Sequence, residues 1–207
     1  MHPTERGTLS CLVKDANGAI FALTAGHVMS IDGQSVDVGS PVNQPLNPPP
    51  GAGPAQVFLG ETSGGSVGND PNLGYVDWAT IGLSRRVDAN RAWDEKFIFG
   101  TRIMSEAEIM NGAPAVEKLG AVTGITSGRL SAMFPELPIA GRVLQKVYEL
   151  ISDAGAIIGK PGDSGALVVN QADRAVIGLL FAVDDPPVPG ARGYVFPLAR
   201  LPKLTIA

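Results

Sequence analysis

The sequence predicts an all-β protein, a barrel or sandwich of short antiparallel strands. Three observations carry that expectation. Apolar runs, several of them alternating with period two, recur at spacings of roughly ten residues. Turn-forming sequences separate them. Finally, 26 glycines and 17 prolines in 207 residues leave little room for long helices.

The elements follow in order. Residues 7–13 (GTLSCLV) alternate, with Leu9, Cys11 and Val13 on one face. Asp15-Ala16-Asn17-Gly18 is a turn, and 19–25 (AIFALTA) return as the second arm of a hairpin that ends at His27. Residues 39–54 are proline-rich and predict an exposed loop, since proline brings no N–H to a ladder. Residues 60–74 (GETSGGSVGNDPNLG) predict a second loop, and 75–83 (YVDWATIGL) a buried strand. The stretch 88–114 reads as a connection between two halves, with a capping box at Ser105 and Glu108 that starts a short helix. Strand patterns resume at 116–124, 128–134, 143–151, 166–170, 175–183 and 193–198, with a turn at 170–173. The tail, 199–207, is compatible with one helical turn.

Composition excludes several classes of function. With 44% hydrophobic and 17% charged residues, the chain has ample material for a core. A net charge of −4 without a basic stripe gives no electrostatic support to nucleic-acid binding. No apolar run reaches the roughly 18 residues of a membrane helix. Cys11 is the single cysteine, so no intramolecular disulfide can form, and its place on an inward face predicts an inert core thiol. No cofactor is expected, and no His or Cys spacing suggests a metal site. The start, Met1-His2-Pro3-Thr4-Glu5-Arg6, lacks the layout of a secretory signal, so the expected compartment is the cytoplasm.

Three segments carry chemistry. They are Leu23-Thr24-Ala25-Gly26-His27-Val28, Val76-Asp77-Trp78-Ala79 and Gly159-Lys160-Pro161-Gly162-Asp163-Ser164-Gly165. Acyl transfer needs a nucleophile, a base that titrates near neutrality and an acid that orients the base. Of two histidines, His2 lies in a segment prone to fraying, which leaves His27 as the base. Asp77, set among Val76, Trp78 and Ile81, is the carboxylate best placed to be held dry, with Asp70 and Asp94 as rivals. Ser164 is the nucleophile. Glycines around it allow backbone N–H groups to face an oxyanion, and those of Gly162 and Ser164 are the natural donors.

These segments resemble the trypsin/chymotrypsin superfamily of serine peptidases. TAGH (24–27) matches its histidine motif, Asp77 its acid and GDSG (162–165) its serine motif, in the family's order. Residues 120–128 and 174–182 resemble the bacterial, disulfide-poor branch. The resemblance implies a single domain over 1–207 built as two packed six-stranded antiparallel β-barrels with the site in the cleft between them. The N-terminal barrel, 1–95, would carry His27 and Asp77, and the C-terminal barrel, 112–207, would carry Ser164. Asp163 would brace the oxyanion loop by pairing with a buried cation. Relatives often supply that cation from an arginine in a GRTTG segment, where this chain has Ala121. Lys118, Arg129 and Lys160 are the candidates to replace it.

Alignment on Ser164 places Ile158 near the floor of the first specificity pocket, with Val183 and Gly193 on its walls. None is charged, and Val183 narrows the space, so the expected preference is for small or medium apolar residues. The implied function is a serine endopeptidase acting on protein or peptide substrates. The alternative is a catalytically silent or trigger-dependent peptide-binding module on the same fold.

Overall fold

Strands β1 (Leu12–Lys14) and β2 (Ile20–Thr24) form the expected hairpin. Its turn is organised by the Asp15 carboxylate, which accepts the N–H groups of Asn17 at 2.9 Å and Ala19 at 2.8 Å. The structure is a computed structural model and describes residues 7–30, 32, 34–46, 55–85, 95–139, 141–153, 156–184, 188–201 and 203–207. After β2 comes a 3-10 turn, Gly26–Met29, which carries His27. Strands β3 (Pro41–Leu46), β4 (Ala55–Asp70) and β5 (Gly74–Leu83) follow.

Both expected loops are corrected in part. Residues 60–70 are not a loop: β4 pairs with β5 from Gly60↔Leu83 to Asp70↔Gly74. The segment has no apolar alternation because its order comes from its partner, the buried strand β5. A Cβ at Gly65 would lie 2.4 Å from the Trp78 carbonyl, so this glycine permits close backbone approach and does not mark a turn. Residues 41–46 of the proline-rich segment form β3, an edge strand that tolerates proline at its first position. Residues 47–54 lie outside the described residues, as do 88–94 of the expected connection.

Beyond the connection, α1 (Glu106–Gly112) begins at the expected capping box. The Ser105 hydroxyl accepts the Glu108 N–H at 3.3 Å, and Glu108 Oε2 accepts the Ser105 N–H at 2.8 Å. Strands β6 (Ala115–Gly120), β7 (Gly124–Ile139), β8 (Arg142–Ser152), β9 (Leu167–Asn170), β10 (Val176–Val183) and β11 (Arg192–Pro197) close into a barrel ordered β10–β11–β8–β7–β6–β9. Strand β7 runs past the expected 128–134, because the β7–β8 hairpin leans on the first sheet. Asn69 donates its side-chain amide to the Val143 carbonyl at 2.7 Å and accepts the Gln145 N–H at 3.1 Å.

A second 3-10 turn, Leu198–Arg200, leads to β12 (Thr205–Ile206), which pairs with β1. The first sheet is thus ordered β12–β1–β2–β5–β4–β3. It also has six strands, so the chain is built of the two packed six-stranded antiparallel units expected; among the described residues its edges β12 and β3 do not pair.

One apolar cluster fills the barrel around Leu150, Ile158, Val168, Ile177, Leu180 and Val195. Another joins the two sheets, bringing Leu23, Tyr75 and Val76 of the first against Leu144, Phe181 and Phe196 of the second. Within that joint lies Arg200, whose side chain is 1% exposed. It donates to both carboxylate oxygens of Glu106 at 3.0 and 2.6 Å, to the Tyr75 carbonyl at 3.2 Å and to the Lys146 carbonyl at 2.7 Å. Its guanidinium also sits 5.7 Å from the centre of the Tyr148 ring. A charge removed from water is tolerable there because its donors are matched to acceptors.

Candidate active site

Asp77 sits in the middle of β5 with no exposed surface. A buried carboxylate needs donors, and three are supplied. Oδ1 accepts the backbone N–H of His27 at 2.9 Å. Oδ2 lies 2.7 Å from His27 Nδ1 and accepts the Tyr75 hydroxyl at 3.1 Å. The register makes this arrangement local: β2 pairs with β5 through Thr24↔Ala79, which brings the turn after β2 beside residue 77. Held by Nδ1 against the carboxylate, the imidazole keeps 27% of its side-chain surface exposed. The rival acid Asp70 accepts the N–H groups of Asn72 and Leu73 at 2.8 and 2.9 Å, as a turn residue does, and Asp94 lies outside the described residues.

The Ser164 loop is bound to the end of β2 through residues 8–10. Thr8 donates its N–H to the Ser164 carbonyl at 2.7 Å and its hydroxyl to the Gly162 carbonyl at 3.0 Å. The Ser10 hydroxyl donates to the Gly165 carbonyl, and the Thr24 hydroxyl to the Thr8 carbonyl at 2.8 Å. Gly165 is wedged in this contact. At φ +92°, a Cβ on it would lie 2.3 Å from the Thr8 carbonyl and 3.1 Å from the Ala25 nitrogen. The serine loop therefore packs on the segment that leads directly into His27. The Ser164 hydroxyl points at the Phe181 carbonyl, a long contact of 3.4 Å.

Donors alternate along the loop. Asp163 gives its N–H to the Lys160 carbonyl at 2.9 Å, and Gly165 gives its own to the Leu180 carbonyl at 2.8 Å. Among the described residues, the N–H groups of Gly162 and Ser164 donate to no carbonyl. Asp163 itself is fully buried. Its Oδ1 accepts the N–H groups of Val122 at 2.8 Å and Thr123 at 3.2 Å. Its Oδ2 accepts the Thr123 hydroxyl at 2.6 Å and the Lys160 N–H at 3.0 Å, and lies 3.2 Å from Lys118 Nζ.

Lys118 is thus the cation that sequence left open among three candidates. It too has no exposed surface, and it donates to the Thr123 hydroxyl as well. Burial alone would push the Asp163 carboxyl up, but the Lys118 charge and these hydrogen bonds outweigh it and hold the group below the ordinary carboxylate value. Burial pushes the Lys118 ammonium down, with Asp163 offsetting part of the effect. A Cβ at Gly120 would come within 2.3 Å of Asp163 Oδ1 and 2.7 Å of Lys118 Nζ, so the ion pair occupies space that a glycine leaves.

Ile158, Val183 and Gly193 converge on Leu180. Ile158 is 1% exposed and gives its carbonyl to the Thr126 hydroxyl at 3.1 Å. Val183 pairs with Gly193 across β10 and β11, and its Cγ1 overhangs Gly159, where a Cβ would meet it at 2.8 Å. A Cβ on Gly193 would meet Leu180 Cδ1 at 2.8 Å and Ile158 Cγ2 at 3.3 Å. A cleft of about 350 Å³ opens beside Tyr75, between β4 and the β7–β8 hairpin. Cys11 is buried, and desolvation pushes its thiol up to about 12, consistent with an inert core cysteine.

Sequence reasoning missed Tyr75, Thr8, Thr123 and Arg200. Each works through a partner distant in the chain or through a hydroxyl in an apolar pattern, and no local motif marks such a role.

No protein-family model and no curated protein matches the sequence. Solved structures do. A Nocardiopsis protease superposes with a TM-score of 0.66 at 16% identity, covering 96% of this chain and 90% of that one. A glutamic acid-specific serine protease gives 0.66 at 15% identity, covering 97% and 93%. A chymotrypsin from Cellulomonas bogoriensis gives 0.62 at 16% identity, covering 98% and 91%. The likeness spans both sheets and the joint between them, and the chain accordingly has the two-sheet, chymotrypsin-like fold of the bacterial serine proteases.

Proposed function

We propose that the protein is a serine endopeptidase with His27, Asp77 and Ser164 as its catalytic residues. The observation that carries this reading is the dry Asp77 carboxylate bonded to both the ring and the backbone of His27, beside a serine loop packed on the same segment. In this mechanism Ser164 Oγ attacks the scissile carbonyl while His27 takes its proton. The imidazolium, stabilised by Asp77, returns that proton to the leaving amine, and water then hydrolyses the acyl-enzyme by the same path. The N–H groups of Gly162 and Ser164 receive the oxyanion. One such donor contributes about 2.7–4 kcal/mol to barrier lowering.

The buried Lys118–Asp163 pair favours activity over the silent or trigger-dependent alternative. It supplies from within the chain the cation that holds the oxyanion loop, so no cleavage is needed to create one. For specificity, the tight packing of Ile158, Val183 and Leu180 supports cleavage after small or medium apolar residues.

A fluorophosphonate probe tests the reading. Ser164 should be labelled, as located by mass spectrometry, and Ser164→Ala should lose labelling and cut kcat by about 10⁴-fold or more. Turnover near the wild-type rate in that variant would end the proposal.

A further inference from the structure

The carboxylate of Asp77 has a donor that the catalytic scheme above does not use. Tyr75 precedes it by two positions on β5, so both side chains leave the same face of the strand. The Tyr75 hydroxyl donates to Oδ2, the oxygen that also faces His27 Nδ1. The residue is 6% exposed, and its ring packs against that of Phe181 with centroids 4.9 Å apart. Phe181 belongs to β10 of the barrel, and its carbonyl receives the Ser164 hydroxyl. The backbone of Tyr75 is held as well, since its carbonyl accepts from Arg200.

We propose that Tyr75 is a positioning residue for the His27–Asp77 pair: its hydroxyl fixes the carboxylate, and its ring ties that carboxylate to the strand beside Ser164. The proposal rests on the endopeptidase reading for its kinetic consequence, but its chemistry can be read without turnover. The phenol remains a donor at any working pH. Burial, then the charge of Asp77 and the hydrogen bond to it, push its pKa up, with Arg142 from β8 acting in the opposite sense. Among the described residues, the charged or titratable groups seen to act on the phenol and its carboxylate are His27 from the 3-10 turn, Asp77 from β5 and Arg142 from β8. Donation from Tyr75 draws negative charge from Oδ2. Without it the carboxylate faces the imidazole with more charge and one fewer restraint, which favours the imidazolium and loosens the ring.

The test compares wild type, Tyr75→Phe and a control, Tyr148→Phe, which removes a buried hydroxyl that donates to Glu106. Phenylalanine keeps the packing on Phe181. The midpoint of the His27 titration, followed by NMR of the imidazole, should rise by about half a pH unit in Tyr75→Phe. In the same variant kcat should fall about tenfold with KM within twofold, the loss expected for one hydrogen bond to a charged group. Tyr148→Phe should change neither. An unchanged His27 midpoint together with wild-type kcat in Tyr75→Phe would overturn the proposal, as would equal effects in the control. If wild-type Ser164 takes no probe, the endopeptidase reading fails, while the titration still decides whether Tyr75 acts on the pair.

Discussion

Replacing Lys118 by methionine should expose how the serine loop is held. Methionine matches the length of the lysine stem but brings no charge, and both members of the Lys118–Asp163 pair lie wholly inside the protein. Asp163 would keep the N–H groups of Val122, Thr123 and Lys160 and the Thr123 hydroxyl, yet its charge would be unpaired. Breaking a buried pair from one side costs about 3–5 kcal/mol. With a urea slope of about 2 kcal/mol/M, the unfolding midpoint at pH 7 should fall by about 2 M. The sign of the pH dependence follows from the depressed Asp163 value. Its contribution is present above the unfolded carboxylate value, near pH 4, and is lost as pH falls through the lower folded value. In Lys118→Met the charge that lowers the group is gone while burial still raises it, so acid unfolding should begin at a higher pH. Lys118→Met/Asp163→Asn, which leaves no charge unpaired, should recover part of the loss. Urea titrations followed by tryptophan fluorescence at pH 7 and near pH 4, with the rate of probe labelling at Ser164, measure all of this. A wild-type midpoint and labelling rate in the single variant would refute the assignment of Lys118 as the brace.

Three other expectations follow from packing. Gly120→Ala drives a methyl group into the Asp163–Lys118 pair and should slow labelling of Ser164 by about tenfold or more, while far-UV circular dichroism stays that of a folded β protein. Val183→Gly removes the side chain above Gly159 and should raise kcat/KM for peptides cleaved after Phe, relative to Ala, by about tenfold, as read from paired chromogenic substrates. Cys11 should resist a thiol reagent at pH 8 and react once the chain is unfolded in urea.

The parts legible in the sequence were those with local signatures. The capping box at Ser105, the Asp15 turn and the period-two strands after residue 115 all depend on neighbours in the chain. His27 and Asp77 could be paired because their motifs resemble known ones, and the structure places them 2.7 Å apart. Strand β4 was illegible because a Gly- and Ser-rich segment is ordered by its partner and not by its own apolar pattern. The choice of Lys118 over Arg129 and Lys160 needed coordinates. On β6, Lys118 follows the charged Glu117 and takes a buried position of the strand, and only the fold brings Asp163 to it. Tyr75 reads as one more aromatic residue in a buried strand until its hydroxyl is seen on Asp77.

Strand β12 has a consequence for the order in which the molecule can be assembled. As a ribosome delivers the chain, β1 to β5 emerge first, yet the outer neighbour of β1 and the guanidinium that grips the Tyr75 carbonyl come only with residues 200–206, after every strand of the barrel. Contacts so distant in sequence slow folding, because loop-closure entropy is paid before they form. The sheet that carries His27 and Asp77 is thus finished only when the barrel that carries Ser164 already exists.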